Sequence, residues 1–268
     1  MTTFPPESTS PPESFSPRRS TFLRDTATVF SREMRPALRN PAALLFEMGQ
    51  PLLFLFLFGA LLDGAVGSSW QWFVPGILVM MCLSGPMGAG YSLLVELIGG
   101  SMERMLVTPV SRTAMLVGRA LKAMVLLLVQ AVLIILLAIP LGFEPHVAGV
   151  LAGLAQLVVF GVGLGAFSFV LALRSAPDGT LFYMVSQSVM FPLLLLSGVL
   201  LPLESAPAWL RAAGRVNPVT YIVDAQRALF AGDLADPSVL YGTASACLIA
   251  AVGLRLGVSA MRKGVVQQ

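Results

Sequence analysis

The sequence predicts an all-α integral membrane protein with six transmembrane helices, and composition provides the first reason. Hydrophobic residues make up 56% of the chain and charged residues only 12%, whereas an ordinary soluble domain has about 25% charged residues. The mean hydropathy is +0.82. A soluble core of this size could not bury so much apolar surface, so the composition indicates a membrane protein.

Six continuous apolar stretches provide the second reason. A helix needs roughly 20 apolar residues to cross a hydrocarbon layer of about 30 Å, and each stretch approaches or exceeds that length. The apolar residues run continuously, without the alternation that is typical of a membrane β-barrel. The predicted spans cover residues 42–62, 72–95, 114–139, 148–173, 180–201 and 239–257.

The residues before the first span divide into two segments. Residues 1–20 are rich in Pro, Ser and Thr, which predicts a disordered cytosolic tail. Residues 21–40 have a different pattern, in which a less polar side chain recurs every fourth residue. This spacing is typical of an amphipathic helix that lies on the inner leaflet. The recurring residues are Phe22, Thr26, Phe30, Met34 and Leu38.

Two prolines, Pro36 and Pro41, are expected to bend this helix and to turn the chain into the first span. Residues 41–260 then form the predicted six-span domain. Residues 261–268 form a predicted cytosolic tail at the C-terminus.

The basic residues orient the predicted bundle. Only three of the 17 basic residues, Arg211, Arg215 and Arg227, fall on one side of it. The positive-inside rule therefore places the other side, with both termini, in the cytosol. The tryptophans Trp70, Trp72 and Trp209 fall near the predicted outer interface. The net charge of +3 is explained by this topology, because basic residues on the cytosolic side are attracted to the anionic lipids of the inner leaflet. It does not indicate a nucleic-acid partner.

The connector between the second and third predicted spans, residues 96–122, is longer and more charged than a chain reversal needs. Its pattern predicts a surface that docks onto something in the aqueous phase. Pro109 lies in its middle and breaks any helix there. Its charged residues are Glu96, Glu103, Arg104, Arg112, Arg119 and Lys122.

The external segment between the fifth and sixth spans is also long, with nearly forty residues. A short helix near residues 206–213 would carry Trp209. Asn217 is expected to cap a second helix that has Pro218 at its first position and Tyr221 on one face, and Gly232 would end it. This pair resembles a re-entrant element at the outer leaflet, acting as a lid over an exit path or as an interface anchor.

The sequence contains no motif that indicates an enzyme. It has no GxxxxGK[ST] phosphate loop, no HExxH and no GxSxG, and its single histidine is His146. We therefore expect no catalytic site and no metal site. The charged residues within or beside the spans all fall near predicted cytosolic ends, so none marks the midplane relay of an ion-coupled carrier. They are Glu47, Glu96, Arg174 and Arg255.

The glycines of the fourth span share one face of the helix. Such a stripe lets helices approach closely. Packing within one bundle is the expected role, and a dimer seam is the alternative. The glycines are Gly149, Gly153, Gly161 and Gly165.

The order of these features resembles the type-2 ABC exporter permeases. The run GGSMERMLVTPVSR at residues 99–112, followed by Gly118-Arg119, is similar to the signature of that family. Further similar runs are Arg39-Asn40-Pro41, Phe191-Pro192 and Asn217-Pro218. The resemblance extends from residue 21 onward and favours the drug-resistance branch, which includes daunorubicin and doxorubicin permeases. Leu97-Ile98-Gly99 departs from it, since many relatives carry more charge there.

The resemblance implies partners and a mechanism. Two permease subunits, identical or sister chains, would pair within the lipids of a bacterial plasma membrane. Each would receive work from a separate cytosolic ATPase that binds ATP and Mg²⁺, while this chain binds no cofactor. The connector would be the cytosolic coupling helix in contact with that ATPase. The implied contact residues are Met102, Glu103, Arg104, Met105, Leu106, Pro109 and Arg112.

The expected cargo is a lipophilic or amphiphilic compound such as an antibiotic or a lipid, moved out of the cytoplasm. A polysaccharide or lipid-linked glycan is the alternative cargo within the family. An ion-coupled secondary transporter and a membrane scaffold without transport activity are the alternatives outside it.

Overall fold

The structure is a computed structural model that describes residues 22–61, 69–99, 112–200, 202, 203 and 206–266. Every regular element among these residues is helical. The helices in chain order are α1 (Phe22–Arg39), α2 (Pro41–Glu47), α3 (Gly49–Leu61), α4 (Ser69–Ile98), α5 (Arg112–Ala138), α6 (Val147–Ser175), α7 (Thr180–Leu195), α8 (Ala208–Val216), α9 (Pro218–Ala231) and α10 (Pro237–Val266).

Four of the described helices are long and apolar enough to cross a membrane. They lie within α4, α5 with the 3-10 turn that follows it, α6 and α10. Two other predicted spans correspond to shorter apolar helices, α3 and α7. The fold is therefore that of a multi-pass helical membrane protein, and the count of six spans stays a prediction. The four long stretches are Trp70–Ile98, Thr113–Leu141, Val147–Ser175 and Pro237–Ala260.

The centre of the bundle is formed by α4, α6 and α9. The first half of α4 is almost completely buried, at Phe73, Val74, Ile77 and Leu78. α4 packs against α3, α5, α6 and α9, while α10 packs along α6 and α9. Because α9 lies in the segment that the sequence predicts to be external, its position in the core is a feature that the hydropathy pattern does not show.

The apolar face predicted for residues 21–40 lies in part against another helix. α1 packs along α5, and Thr26 and Met34 of that face are buried, whereas Phe22 and Leu38 at its two ends are exposed. The sequence pattern predicted an apolar face along the whole helix, lying on the inner leaflet. It did not show that a protein surface covers it.

Gly118 allows α1 and α5 to approach each other closely. A Cβ atom at Gly118 would lie 2.8 Å from Cγ1 of Val29, which is nearer than two carbon atoms approach without displacement. Pro36 is accommodated within α1, and Pro41 is the first residue of α2, a position where a missing amide hydrogen costs nothing.

The end of the fifth predicted span differs from the prediction, because α7 ends at Leu195 and not at residue 201. Backbone carbonyls around this end accept hydrogen bonds from side chains of the predicted external segment. Asn217 Nδ2 donates to Leu193 O at 2.7 Å, and Thr220 Oγ1 donates to Leu196 O at 3.2 Å. These donors satisfy carbonyls that a longer helix would otherwise use. At the other end of the chain, α10 continues to Val266, into the predicted tail.

The glycine stripe of α6 packs against helices of the same chain. A Cβ atom at Gly149 would overlap the carbonyl oxygen of Leu229 on α9, and one at Gly153 would lie 2.5 Å from the Phe230 ring. Further along α6, Gly161 faces Met124 of α5. These contacts support the expected role of the stripe, which is packing within one bundle.

Candidate functional site

The predicted docking connector is flanked by the ends of α4 and α5. The structure describes α4 to Ile98, a turn at Gly99, and α5 from Arg112 onward. The geometry of this region therefore comes from the side chains that border the connector. Outside the described residues lie Met102, Glu103, Arg104, Met105, Leu106 and Pro109.

Three charged residues at the two ends of the connector and one residue of α1 form what we call the charged cluster: Glu96, Arg119, Lys122 and Glu33. The guanidinium group of Arg119 on α5 pairs with Glu96 on α4. The same group lies 3.6 Å from a carboxylate oxygen of Glu33 on α1. Lys122, one turn further along α5, lies 3.5 Å from the other oxygen of Glu33. The cluster thus joins three helices next to the connector.

Arg119 depends on its partners more than the other members of the cluster do. Its side chain is 6% exposed, whereas those of Glu33 and Glu96 are 25% and 29% exposed. Removing one partner of a buried ion pair costs about 3–5 kcal/mol, because the remaining charge has lost its compensation. The Nε and Nη1 atoms of Arg119 are also buried and have no hydrogen-bond partner among the described residues.

Sequence reasoning found three members of the charged cluster without pairing them. Glu96, Arg119 and Lys122 were recognised as charges of the connector, and Arg119 and Lys122 are three residues apart, which places them on one side of a helix. Glu33 was missed. It lies 89 residues from Lys122 along the chain, and only the packing of α1 on α5 brings the two together.

The helix pair that the sequence predicts to be external consists of α8 and α9, and Asn217 joins them. Asn217 is the N-cap of α9, where its side-chain oxygen accepts a hydrogen bond from the amide of Val219 at 3.0 Å. Pro218 is the first residue of α9. Gly232 follows the helix with φ of 88°, a left-handed conformation that favours glycine at a helix C-terminus.

The two helices of the pair differ in depth. In α9, Ile222, Val223 and Phe230 are fully buried, whereas Trp209 of α8 is 70% exposed. Tyr221 lies near the surface, where its hydroxyl donates to the carbonyl oxygen of Arg215 at 2.8 Å. Of the two helices, only α8 has the exposure that a surface lid or an interface anchor needs.

Arg227 ties α9 to two other parts of the bundle. Its guanidinium carbon lies 3.7 Å from the centre of the Trp72 ring at the start of α4. Its Nη2 atom donates to the carbonyl oxygen of Gly198 at 2.7 Å, in the turn that follows α7. The planar guanidinium group thus stacks on an aromatic ring and donates in its own plane, which an ammonium group does not do. Sequence reasoning used Arg227 and Trp72 only to orient the bundle.

A buried chain of amides connects α9, α6 and α10. Gln226 Nε2 donates to the side-chain oxygen of Gln156 at 2.7 Å and to Gly153 O at 2.9 Å. Gln156 Nε2 donates in turn to the hydroxyl of Thr243 at 3.2 Å. Polar groups buried in a bundle of this kind need such partners, and these bonds fix the position of α9 relative to both long helices.

Two aspartates outside the long helices act at helix N-termini. Hydrogen bonds from the side chain and the amide of Thr180 lower the pKa of Asp178 from its ordinary value of 3.8. Hydrogen bonds from Ser238 lower the pKa of Asp236 in the same way. In the part of the chain that the structure describes, no group of three or more His, Cys, Asp or Glu side chains could hold a metal ion.

The long apolar helices define a multi-pass membrane protein in which a charged connector joins α4 to α5. A sequence profile of the ABC-2 type transporters matches residues 24–231. The chain therefore belongs to the ABC-2 type transporter family, which confirms the resemblance found in the sequence.

Individual relatives agree with this assignment. The chain is 31% identical over 218 residues to a putative transport permease, ycf38, of Cyanophora paradoxa, covering 78% of this chain and 75% of the relative. It is 28% identical to the daunorubicin resistance ABC transporter permease protein DrrB1 of Streptomyces coeruleorubidus, covering 80% and 77%. It is 26% identical to a probable doxorubicin resistance ABC transporter permease protein, DrrC, of Mycobacterium tuberculosis, covering 88% of each chain.

Proposed function

We propose that this chain is the transmembrane permease subunit of an ATP-binding cassette exporter that moves a lipophilic or amphiphilic compound, such as an antibiotic or a lipid, out of the cytoplasm. Membership of the ABC-2 type transporter family implies an ATP-binding subunit as a partner. Two relatives are named as drug-resistance permeases, and they favour an amphiphilic cargo. ATP and Mg²⁺ would be bound by the separate subunit, and this chain would carry out no hydrolysis itself.

The observation that carries the proposal is the position of the charged cluster. It lies where α4 and α5 adjoin the connector, and it joins both helices to α1 through Arg119. A force applied to the connector by a cytosolic subunit would reach the ends of α4 and α5 first. Because Arg119 is buried and paired with both neighbours, these three helix ends would move together instead of separately.

The proposed arrangement in the membrane has six spans. Residues 41–61 of α2 and α3 together would be about 31 Å long at 1.5 Å per residue, which is enough to cross the hydrocarbon layer. α7 and the turn that follows it would form the fifth span. Both termini would lie in the cytosol of a bacterium, and a second copy of the permease or a sister subunit would complete the transporter in the plasma membrane.

The experiment that tests this proposal is isolation of the permease from its native membrane in mild detergent through an affinity tag. We expect recovery of a subunit that contains a phosphate-binding Walker loop and hydrolyses ATP. Glu103→Arg reverses a charge on the proposed coupling helix and should reduce recovery of that subunit at least about fivefold, an effect of roughly 1 kcal/mol.

Glu144→Arg is the matched control, since it makes the same change in the loop between α5 and α6, on the proposed external side. It should leave recovery of the ATP-binding subunit unchanged. Equal recovery with wild type and Glu103→Arg, at equal membrane insertion, would show that the coupling helix has been assigned wrongly.

A further inference from the structure

A cavity of about 430 Å³ lies between α1, α2, α3, α4 and α5. Its volume is in the range of sites that bind drug-sized molecules, about 300–1,000 Å³. Its walls combine charged, amide and apolar side chains, a combination that suits a ligand with one polar and one apolar part. The lining residues that matter here are Glu33, Glu47, Met81, Arg119, Leu127 and Gln130.

Glu47 is the distinctive residue of this cavity. It is the last residue of α2 and lies within the first predicted span. Its carboxylate accepts a hydrogen bond from the side-chain amide of Gln130 at 3.3 Å, and this neutral group is its one polar partner among the described residues. Glu47 is exposed at the surface of the bundle while it also lines the cavity, so it lies at the mouth.

The surroundings of Glu47 are unusual for a carboxylate within a predicted span. Gln130, 18 residues beyond the start of α5, offers it an amide hydrogen bond but no positive charge. An ionisable group within a span is costly without an opposite charge, and such residues commonly mark a site where a ligand or an ion passes.

Among the described residues that line the cavity, none provides a cation for Glu47. Arg119 and Lys122 are the basic residues of that set, and both are paired with Glu33, while Arg119 is also paired with Glu96. Lys122 and Gln130 are eight residues apart on α5, about 12 Å. The negative charge of Glu47 is therefore available to a group that enters from outside the chain.

We propose that this cavity binds an amphiphile that carries an ammonium group, with Glu47 as the counter-charge and Gln130 as the residue that positions its carboxylate. The alkyl or aromatic part of the ligand would lie against Met81 and Leu127, which are apolar and buried. That this ligand is the transported cargo rests on the proposed export function. The binding itself requires neither ATP nor a partner subunit.

The test uses the full chain in lipid nanodiscs and a fluorescent probe, a dansyl group on an alkyl chain that ends in an ammonium group. We expect saturable binding of this probe above the background of empty nanodiscs. Glu47→Gln removes the charge and should weaken binding about tenfold or more, since a charge-assisted hydrogen bond is lost. The same molecule ending in a sulfonate group should not bind saturably.

Two further variants keep the result interpretable. Gln130→Lys places a competing ammonium beside Glu47 and should weaken probe binding to a similar degree, so it decides the question if Glu47→Gln does not fold. Asp233→Asn removes an exposed carboxylate far from the cavity along the chain and should bind the probe as wild type does. Elution as a single species in size-exclusion chromatography establishes that each variant is folded.

Three results would overturn the inference: no saturable binding by wild type, binding unchanged by both Glu47→Gln and Gln130→Lys, or equal binding of the sulfonate probe. These outcomes are separate from the export function. Binding that depends on Glu47 in a chain that recovers no ATP-binding subunit would contradict the proposed function alone. Recovery of that subunit without Glu47-dependent binding would contradict this inference alone.

Discussion

Arg119 lies 3.6 Å from Glu33, so a residue at the α5 end of the connector is paired with a residue of the first helix. The same guanidinium group pairs with Glu96 at the end of α4. One buried cation thus connects the helices before and after the connector to α1. We regard this pairing as the route by which movement of the connector reaches the bundle.

Arg119→Gln should destabilise the protein, because Glu33 and Glu96 would then lie together without the cation that separates their charges. We expect a loss of about 2 kcal/mol, between the values for buried and for exposed pairs, because the carboxylates are partly solvated. The measurement is thermal unfolding in nanodiscs. Arg174→Gln is the control, since Arg174 is exposed, and an equal effect of both substitutions would contradict the role of the charged cluster.

Asn217→Ala should destabilise the junction between α7 and α9, because Asn217 both caps α9 and donates to Leu193 O. Loss of both bonds should cost about 2 kcal/mol. Asn217→Ser should have an intermediate effect, since serine caps helices well but is too short to reach Leu193. Unfolding temperatures measured side by side test this order, and a serine variant no more stable than the alanine variant would contradict it.

Arg227→Lys should lower stability although the charge is kept. An ammonium group has no planar face to stack on Trp72 while donating to Gly198 O, so we expect a loss of about 1–2 kcal/mol. Trp72→Leu tests the same contact from the other side. In a double-mutant cycle the two effects should be clearly less than additive. Additive effects would mean that the stacking makes no contribution.

Gly149→Ala should disturb the contact between α6 and α9, since the added methyl group would overlap the carbonyl oxygen of Leu229. Overpacking of this kind costs about 1–3 kcal/mol. Gly49→Ala is the matched substitution at a glycine with no atom within 4 Å of its would-be Cβ, and it should be neutral or slightly stabilising. Thermal unfolding of both variants checks the difference, and equal unfolding temperatures would rule it out.

Asp236 should give the protein an acid-sensitive component of stability. Hydrogen bonds from Ser238 lower its pKa in the folded chain. Its contribution to the free energy of unfolding is therefore fully present above the unfolded pKa of about 3.9. That contribution is lost as the pH falls through the lower pKa of the folded chain. Asp236→Asn should therefore be less stable than wild type at pH 7, and the difference should disappear in acid once Asp236 is protonated in the folded chain as well. A difference that does not change with pH would contradict this assignment.

The sequence was sufficient for features that depend on neighbouring residues. Asn217 and Pro218 form the start of a helix because capping needs only the next two residues of the chain. Continuous apolar length likewise identified the long helices. The spacing of its glycines alone placed the glycine stripe on one face of α6.

Features that depend on distant partners could not be predicted in the same way. α7 ends at Leu195 because Asn217 and Thr220, more than twenty residues away, take the carbonyl groups around that end. The polar residues of α9 predicted an external helix. The sequence of α9 does not show that Gln226 is buried and hydrogen-bonded to α6. Glu33 belongs to the charged cluster only because Gly118 lets α1 pack closely on α5.

ATP-driven export can be measured as transport into inside-out vesicles that contain the permease and its ATP-binding subunit. We predict that a fluorescent amphiphile accumulates only with ATP, that accumulation stops on ATP depletion, and that Glu103→Arg abolishes it while the permease stays inserted. Accumulation that continues without ATP and follows an imposed ion gradient would contradict ATP-driven export and would indicate an ion-coupled carrier.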